Sequence, residues 1–249
     1  MIERRSAADD AKKKDKIANE KVQPMIQDIL DSQKSLLFAE LDSGGRQVKG
    51  VLAMADDDWI ETIREVYLDV GTEFGKDIVV EKREAEDPLR AALDDETDIL
   101  REKTDIQEAT IEKIDTQMKE GVRQGWSTAQ LQQAILDCGI FESARALRIA
   151  RTITGAAASA GQWLSGMLAG ANAKRWLTAG DNNVRALHQR MDNELRPIKE
   201  LYSNGGRYPG DSLLSAAERI NCRCSQLFEI IGDMPFTTAS HVDHEEAEV

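Results

Sequence analysis

The sequence predicts an α+β protein, with a mainly α-helical N-terminal part and a smaller C-terminal α+β module. Three observations carry this reading. Apolar residues between Val22 and Val122 recur mostly at steps of three, four, seven or eight, as on amphipathic helices. Aromatic residues make up 5% of the 249 residues and charged residues 31%, a balance that suits well-solvated helices. After Ala173 the chain turns to short segments divided by Gly180-Asp181-Asn182-Asn183, Asn204-Gly205-Gly206 and Pro209-Gly210-Asp211, the punctuation of small strands and loops. A hydrophobic share of 41% is ordinary globular usage and excludes wholesale disorder.

Residues 1–20 are dense in charge and lack apolar periodicity, which predicts a flexible end. They contain no apolar run, so no signal peptide is expected. Val22, Ile26, Ile29, Leu30, Leu36 and Leu37 predict a first helix, with Pro24 tolerated in its opening turn. Ser43-Gly44-Gly45 breaks the chain. A second helix follows Asp56-Asp57-Asp58, whose carboxylates suit the positive end of a helix dipole. Trp59, Ile63, Val66, Tyr67 and Val70 form its stripe, and Gly71 and Gly75 read as stop signals. Asp87-Pro88 marks a boundary.

Residues 89–124 predict a long helix whose thin seam is Ile106, Ile114, Met118 and Val122. That seam fits either a partner helix or the protein's own core. Ser127 and Gln130 have the spacing of a capping box and start a short helix that Gly139 ends. A further helix runs from about Glu142 to about Gly170. Its Ala and Gly content lets backbone approach closely. Residues 155–173 within and after it are too polar to predict a membrane span. Residues 174–178 and 221–230 read as strands. The organisation expected is therefore a flexible end (1–20), a helical docking region (21–125), an α+β module (126–232) and an acidic flexible tail (233–249).

The net charge of -13 and a pI near 4.8 exclude a protein that coats nucleic acid over its whole surface. The charge is split, however. Residues 151–230 hold ten Lys or Arg against seven Asp or Glu, about +3, and the rest of the chain carries about -16. Arg175, Arg185, Arg190, Arg196 and Arg207 are therefore candidate contacts to a DNA backbone, at an affinity that +3 keeps low. Three cysteines cannot pair off completely, which points to reduced thiols.

Phosphate-binding loops, dinucleotide fingerprints and the common hydrolase signatures are missing. The most pointed local feature is Cys222-Arg223-Cys224. On a strand, alternate residues share a face, so both sulfurs would project together, and a disulfide between them would be strained. Two readings follow: a pair of core-facing thiols, or a zinc site drawing on Cys222, Cys224, His188, His241 and His244. Arg185, His188 and Asp192 would share one face of a helix. There they could bind phosphate and do acid–base work, or form a hydrogen-bonded cluster that anchors the module.

Read in order, the short motifs resemble one family. They are Gly125-Trp126-Ser127, Ala150-Arg151-Thr152, Lys174-Arg175-Trp176, Asp181 through Arg185 to His188, Tyr208-Pro209-Gly210-Asp211, and Ile220-Asn221-Cys222-Arg223-Cys224. This pattern, over roughly residues 104–231, is similar to the phage Mu F-type or SPP1-type minor head (head morphogenesis) proteins. The chain departs from it at Asn193, where many relatives have glycine; asparagine tolerates the left-handed conformation such a turn needs.

The resemblance implies a low-copy minor capsid protein in the interior of the phage head. It also implies association with the portal protein, with scaffold or major capsid protein as further partners, and a role in assembly, DNA packaging or DNA delivery. It does not imply an established catalytic activity, and the polarity of the chain predicts no membrane partner. A nuclease-like or ADP-ribosyl-transferring module with Arg185 and His188 in its pocket is the enzymatic alternative, and a zinc-stabilised binding module is another. The resemblance also places Arg151, Trp176, Arg185, His188, Asp211, Asn221, Cys222, Arg223 and Cys224 together as a cluster that holds the module.

Overall fold

The computed structural model describes residues 6–76, 78, 91, 93 and 96–232. The expected boundary at Asp87-Pro88, the acidic tail and His241 and His244 lie outside the described residues. Among the described residues the helices that come first are α1 (Ala7–Ile17), α2 (Gln23–Asp42), α3 (Val48–Ala53), α4 (Asp56–Gly75), α5 (Glu96–Gln124), α6 (Thr128–Asp137) and α7 (Ser143–Leu168). There follow β1 (Ala173–Leu177), α8 (Ala186–Arg190), β2 (Leu195–Pro197), α9 (Ala216–Arg219) and β3 (Ser225–Glu229). The strands form an antiparallel sheet in the order β2-β1-β3. This is the α+β arrangement that the sequence predicts, helices first and a small sheet last.

The N-terminal segment differs from expectation. Residues 7–17 form a helix capped by Ser6, whose side chain accepts from the Asp9 amide, and one wide turn over 18–22 joins it to α2. Asp10, Ala11, Lys14 and Ile17 lie inward at helical spacing. Two of these are charged, so an apolar pattern could not reveal the face. Their burial is satisfied by distant polar groups. Asp10 accepts from Ser225 Oγ at 2.7 Å and Gln162 Nε2 at 3.0 Å, and Lys14 Nζ donates to the Cys224 carbonyl at 3.0 Å. The charge density over residues 7–20 therefore marks a stitched segment, where a flexible one was predicted.

The stripes of α2 and α4 are buried as read, with Ile26, Leu30, Leu37, Trp59, Ile63 and Tyr67 in one core that extends to Tyr208. Gly71 does not stop α4, which runs on to Gly75. Gly71 instead meets Gly161 of α7. A Cβ on Gly161 would overlap the Gly71 carbonyl oxygen, so the two helices cross with backbone against backbone. The seam of α5 faces the protein's own core: Ile114 is fully buried, Ile106 and Met118 pack against the core, and Val122 is 76% exposed.

Ser127 caps α6 in a full capping box with Gln130. Ser127→Ala removes the acceptor for the Gln130 amide and lowers stability by about 1 kcal/mol in urea titration. Ser127→Asp, which restores the acceptor, recovers most of that loss.

In the sheet, Lys174 and Trp176 share the inward face of β1, and both are fully buried. Lys174 Nζ donates to the Arg207 carbonyl at 2.6 Å and lies 4.6 Å from the centre of the Tyr202 ring. Burial lowers its pKa from the ordinary 10.5 to about 8. Between these values the unfolded chain holds the proton more often than the folded one, so the Lys174 contribution to stability rises with pH from about 8 to 10.5 and is flat outside that window. Lys174→Met removes the rise. Subtracting its urea-denaturation profile from that of the parent, pH by pH, isolates it from the thiols that titrate nearby.

Candidate functional site

The site is built by loops laid against α7. Gly155 lets the chain after α9 approach the helix, since a Cβ there would lie 3.1 Å from the Cys222 carbonyl oxygen. The Asn221 amide donates to Thr152 Oγ1 at 3.2 Å, and Asn221 turns through the left-handed region at φ 56°. Asparagine is among the few side chains that accept this conformation readily. Cys222 and Cys224 therefore sit in a turn-and-loop segment ahead of β3, where a strand over 221–230 was predicted. The strand proper spans 225–229.

The two sulfurs nonetheless converge. His188 Nδ1 on α8 is 3.5 Å from Cys224 Sγ and 3.8 Å from Cys222 Sγ. All three residues are buried, and their candidate ligand atoms lie within 4.8 Å of one another. Trp176 stacks its edge on the imidazole at a centroid distance of 5.2 Å, with Tyr202 behind it at 5.1 Å. None of the three cysteines is disulfide-bonded. The paired thiols move apart in acidity. Cys222 is held well below its ordinary range by the hydrogen bond with Cys224, against burial and with help from His188. Cys224 is pushed up as the other partner of that bond, and burial adds to the rise.

Above this cluster lies a polar cleft of about 500 Å³, lined by Lys14, Asp15, Arg151, Asn183, Arg185, Asn221, Cys222 and Arg223. The cations that line it are already engaged. Arg151 Nε is 3.2 Å from Asp15, Arg223 donates to Asp181 at 2.6 Å, and Arg185 donates to the Ile220 carbonyl. Arg223 in turn holds the Asp181 carboxyl below its usual range.

The nine residues grouped by the family resemblance thus separate into layers. Arg151, Arg185, Asn221, Cys222 and Arg223 line the cleft. His188, Cys224 and Trp176 lie beneath it. Asp211 belongs to a different network: it accepts from Arg207 through the amide at 2.6 Å and Nε at 2.8 Å, and Arg207 also reaches Asp98 of α5 at 2.9 Å. Arg185, His188 and Asp192 do not form one helical face. Helix α8 is a five-residue turn that Arg185 precedes as N-cap, and Asp192 lies past its end, accepting from the Thr178 amide at 2.8 Å. Asn193 makes the left-handed turn expected of it, at φ 65°. His188 is 1% exposed and faces the thiols, whereas Arg185 lines the cleft, so the pocket imagined for an enzyme holds only one of the two.

Of the candidate DNA contacts, Arg175 pairs with Glu229 at 2.7 Å, Arg196 with Glu194 at 2.7 Å, and Arg207 with Asp98 and Asp211. Arg190 is exposed. The sequence reading missed Lys14, Asp15 and Asn183 as cleft residues. The only signal for Lys14 was the inward helical spacing of Asp10, Ala11, Lys14 and Ile17, half of it made of charges.

Among the described residues, no helix is long and apolar enough to cross a membrane. No curated protein and no solved structure matches the chain. A sequence model of the family described as Phage Mu protein F like protein matches residues 112–227. That stretch takes in the distal half of α5, the capped α6, all of α7 and the loops that build the cleft and the His–Cys–Cys cluster. Over that stretch, a little under half of the chain, the protein is similar to the Mu F-like phage head morphogenesis family.

Proposed function

We propose that the protein is a low-copy minor head protein held at the portal vertex inside the phage head, where it assists capsid assembly and DNA packaging or delivery. The observation that carries this reading is the Mu F-like match over residues 112–227. The charge distribution supports it. Outside residues 151–230 the chain carries about -16, which repels packaged DNA and leaves protein as the natural partner of the helical part. The portal is the principal partner; scaffold and major capsid protein are secondary ones.

Double-stranded DNA is at most a weak ligand of this surface. Arg175, Arg196 and Arg207 already carry carboxylate partners, which leaves the exposed Arg190 as the available phosphate contact among the five candidates, with Arg185 beside it in the cleft.

Quantitative mass spectrometry of purified virions, with chemical cross-linking of procapsids, tests the proposal. The expected result is a copy number far below that of the major capsid protein, with cross-links from the helical part to the portal. A copy number equal to that of the major capsid protein, or cross-links to shell subunits with none to the portal, overturns it.

A further inference from the structure

We infer that His188, Cys222 and Cys224 form a zinc site, completed by a solvent ligand that enters from the cleft. Three observations carry this. The first is spacing. Tetrahedral zinc, with bonds of about 2.3 Å to sulfur and about 2.0 Å to nitrogen, sets a nitrogen and a sulfur ligand roughly 3.5 Å apart. His188 Nδ1 lies 3.5 and 3.8 Å from the two sulfurs. The donor set, two thiols and an imidazole, is also the one zinc prefers among common divalent ions.

The second is the state of His188. Its ring is 1% exposed, Nε2 has no hydrogen-bond partner, and Nδ1 faces only the two sulfurs. Among the described residues, nothing but the two sulfurs surrounds Nδ1, so a metal ion there would hold the imidazole nitrogen and both sulfurs at once. Two thiolates would also neutralise the ion, so the filled site carries no net charge into the interior.

The third is access. Cys222 belongs both to the cluster and to the lining of the cleft. The remaining coordination position is thus reachable by water, and a zinc site with three protein ligands and one open position is of the kind that binds or activates a small ligand. The cations of the cleft are already engaged by Asp15, Asp181 and backbone carbonyls, so the solvent ligand that the cleft supplies is water. The proposal does not depend on the portal role.

The full chain, expressed with zinc and purified without chelator, is expected to carry about one zinc per chain. Replacing zinc with cobalt(II) is expected to give thiolate-to-cobalt charge transfer and the intense visible bands of a four-coordinate ion. Cys224→Ser and His188→Ala are each expected to lose the metal. Because either variant can also misfold, the parent protein supplies a second measurement: Cys222 and Cys224 resist a thiol reagent with zinc bound and react when a chelator is added. Fewer than about one zinc in five chains, or thiols equally reactive with and without chelator, overturns the site. The variant with both His241→Ala and His244→Ala is expected to keep its zinc; loss of metal there would assign the fourth position to a side chain and overturn the solvent-ligand assignment.

Discussion

Gly161→Ala is expected to destabilise the protein by about 3 kcal/mol, the upper end of what overpacking costs. The added methyl overlaps the Gly71 carbonyl oxygen, and both groups sit on helix backbone, so no side-chain rotation relieves the clash. Helices α4 and α7 must separate, and with them the packing of Trp59, Ile63 and Tyr67 in the core. Alanine's better helix propensity returns only about 1 kcal/mol. Gly50→Ala in α3 is the matched control. A Cβ there meets nothing closer than the Gln47 side chain at 3.7 Å, so the same substitution should stabilise by about 0.5–1 kcal/mol. Urea unfolding of the two variants reads the contrast. Equal stabilities would show that the helices do not cross at these glycines.

The second large effect lies where the sheet module meets α5. Arg219 is 4% exposed and donates to Glu102, itself 1% exposed, at 2.6 Å, with Asp105 as a further partner. Arg219→Ala strands a buried carboxylate and is expected to cost about 3–5 kcal/mol. Burial raises the Glu102 pKa, and Arg219 offsets part of that rise. Without the arginine the folded-state value rises further. Below it the folded chain holds a proton that the unfolded chain releases, so stability falls as pH rises through this range. Acidification from neutral pH should therefore narrow the gap between variant and parent. Glu102→Gln in the Arg219→Ala background should narrow it at neutral pH. A gap that is constant on acidification would mean that Glu102 is not the group left stranded.

The helical stripes, the capping box at Ser127 and the change of texture after Ala173 were legible in the sequence because each is a local pattern of polarity or turn chemistry. The resemblance carried by the short motifs was legible too, and the family model matches residues 112–227. The inward face of α1 was not, because it buries Asp10 and Lys14, and a hydrophobic periodicity cannot register a face whose partners are Ser225, Gln162 and the Cys224 carbonyl. Gly71 read as a stop signal because the sequence near it does not show Gly161, its partner ninety residues away. At the site, the thiols converge on His188 through a left-handed Asn221 and a close approach to Gly155, where a strand's alternation was expected to align them. The split of Asp211 from the rest of its motif cluster depends on Asp98, an α5 residue outside every motif.

The ion pairs between α5 and the sheet module bear on how this family region can be inherited. The matched segment begins at residue 112, midway along α5, while Asp98, Glu102 and Asp105 lie on the turns before it. A recombination event that moved only the matched segment would carry Arg219 into the new host without Glu102 and Asp105, and Arg207 with Asp211 but without Asp98. Such a transplant would need a new helix supplying carboxylates at these places. Viable exchanges should therefore join upstream of Asp98, making the heritable unit longer than the region of recognisable sequence.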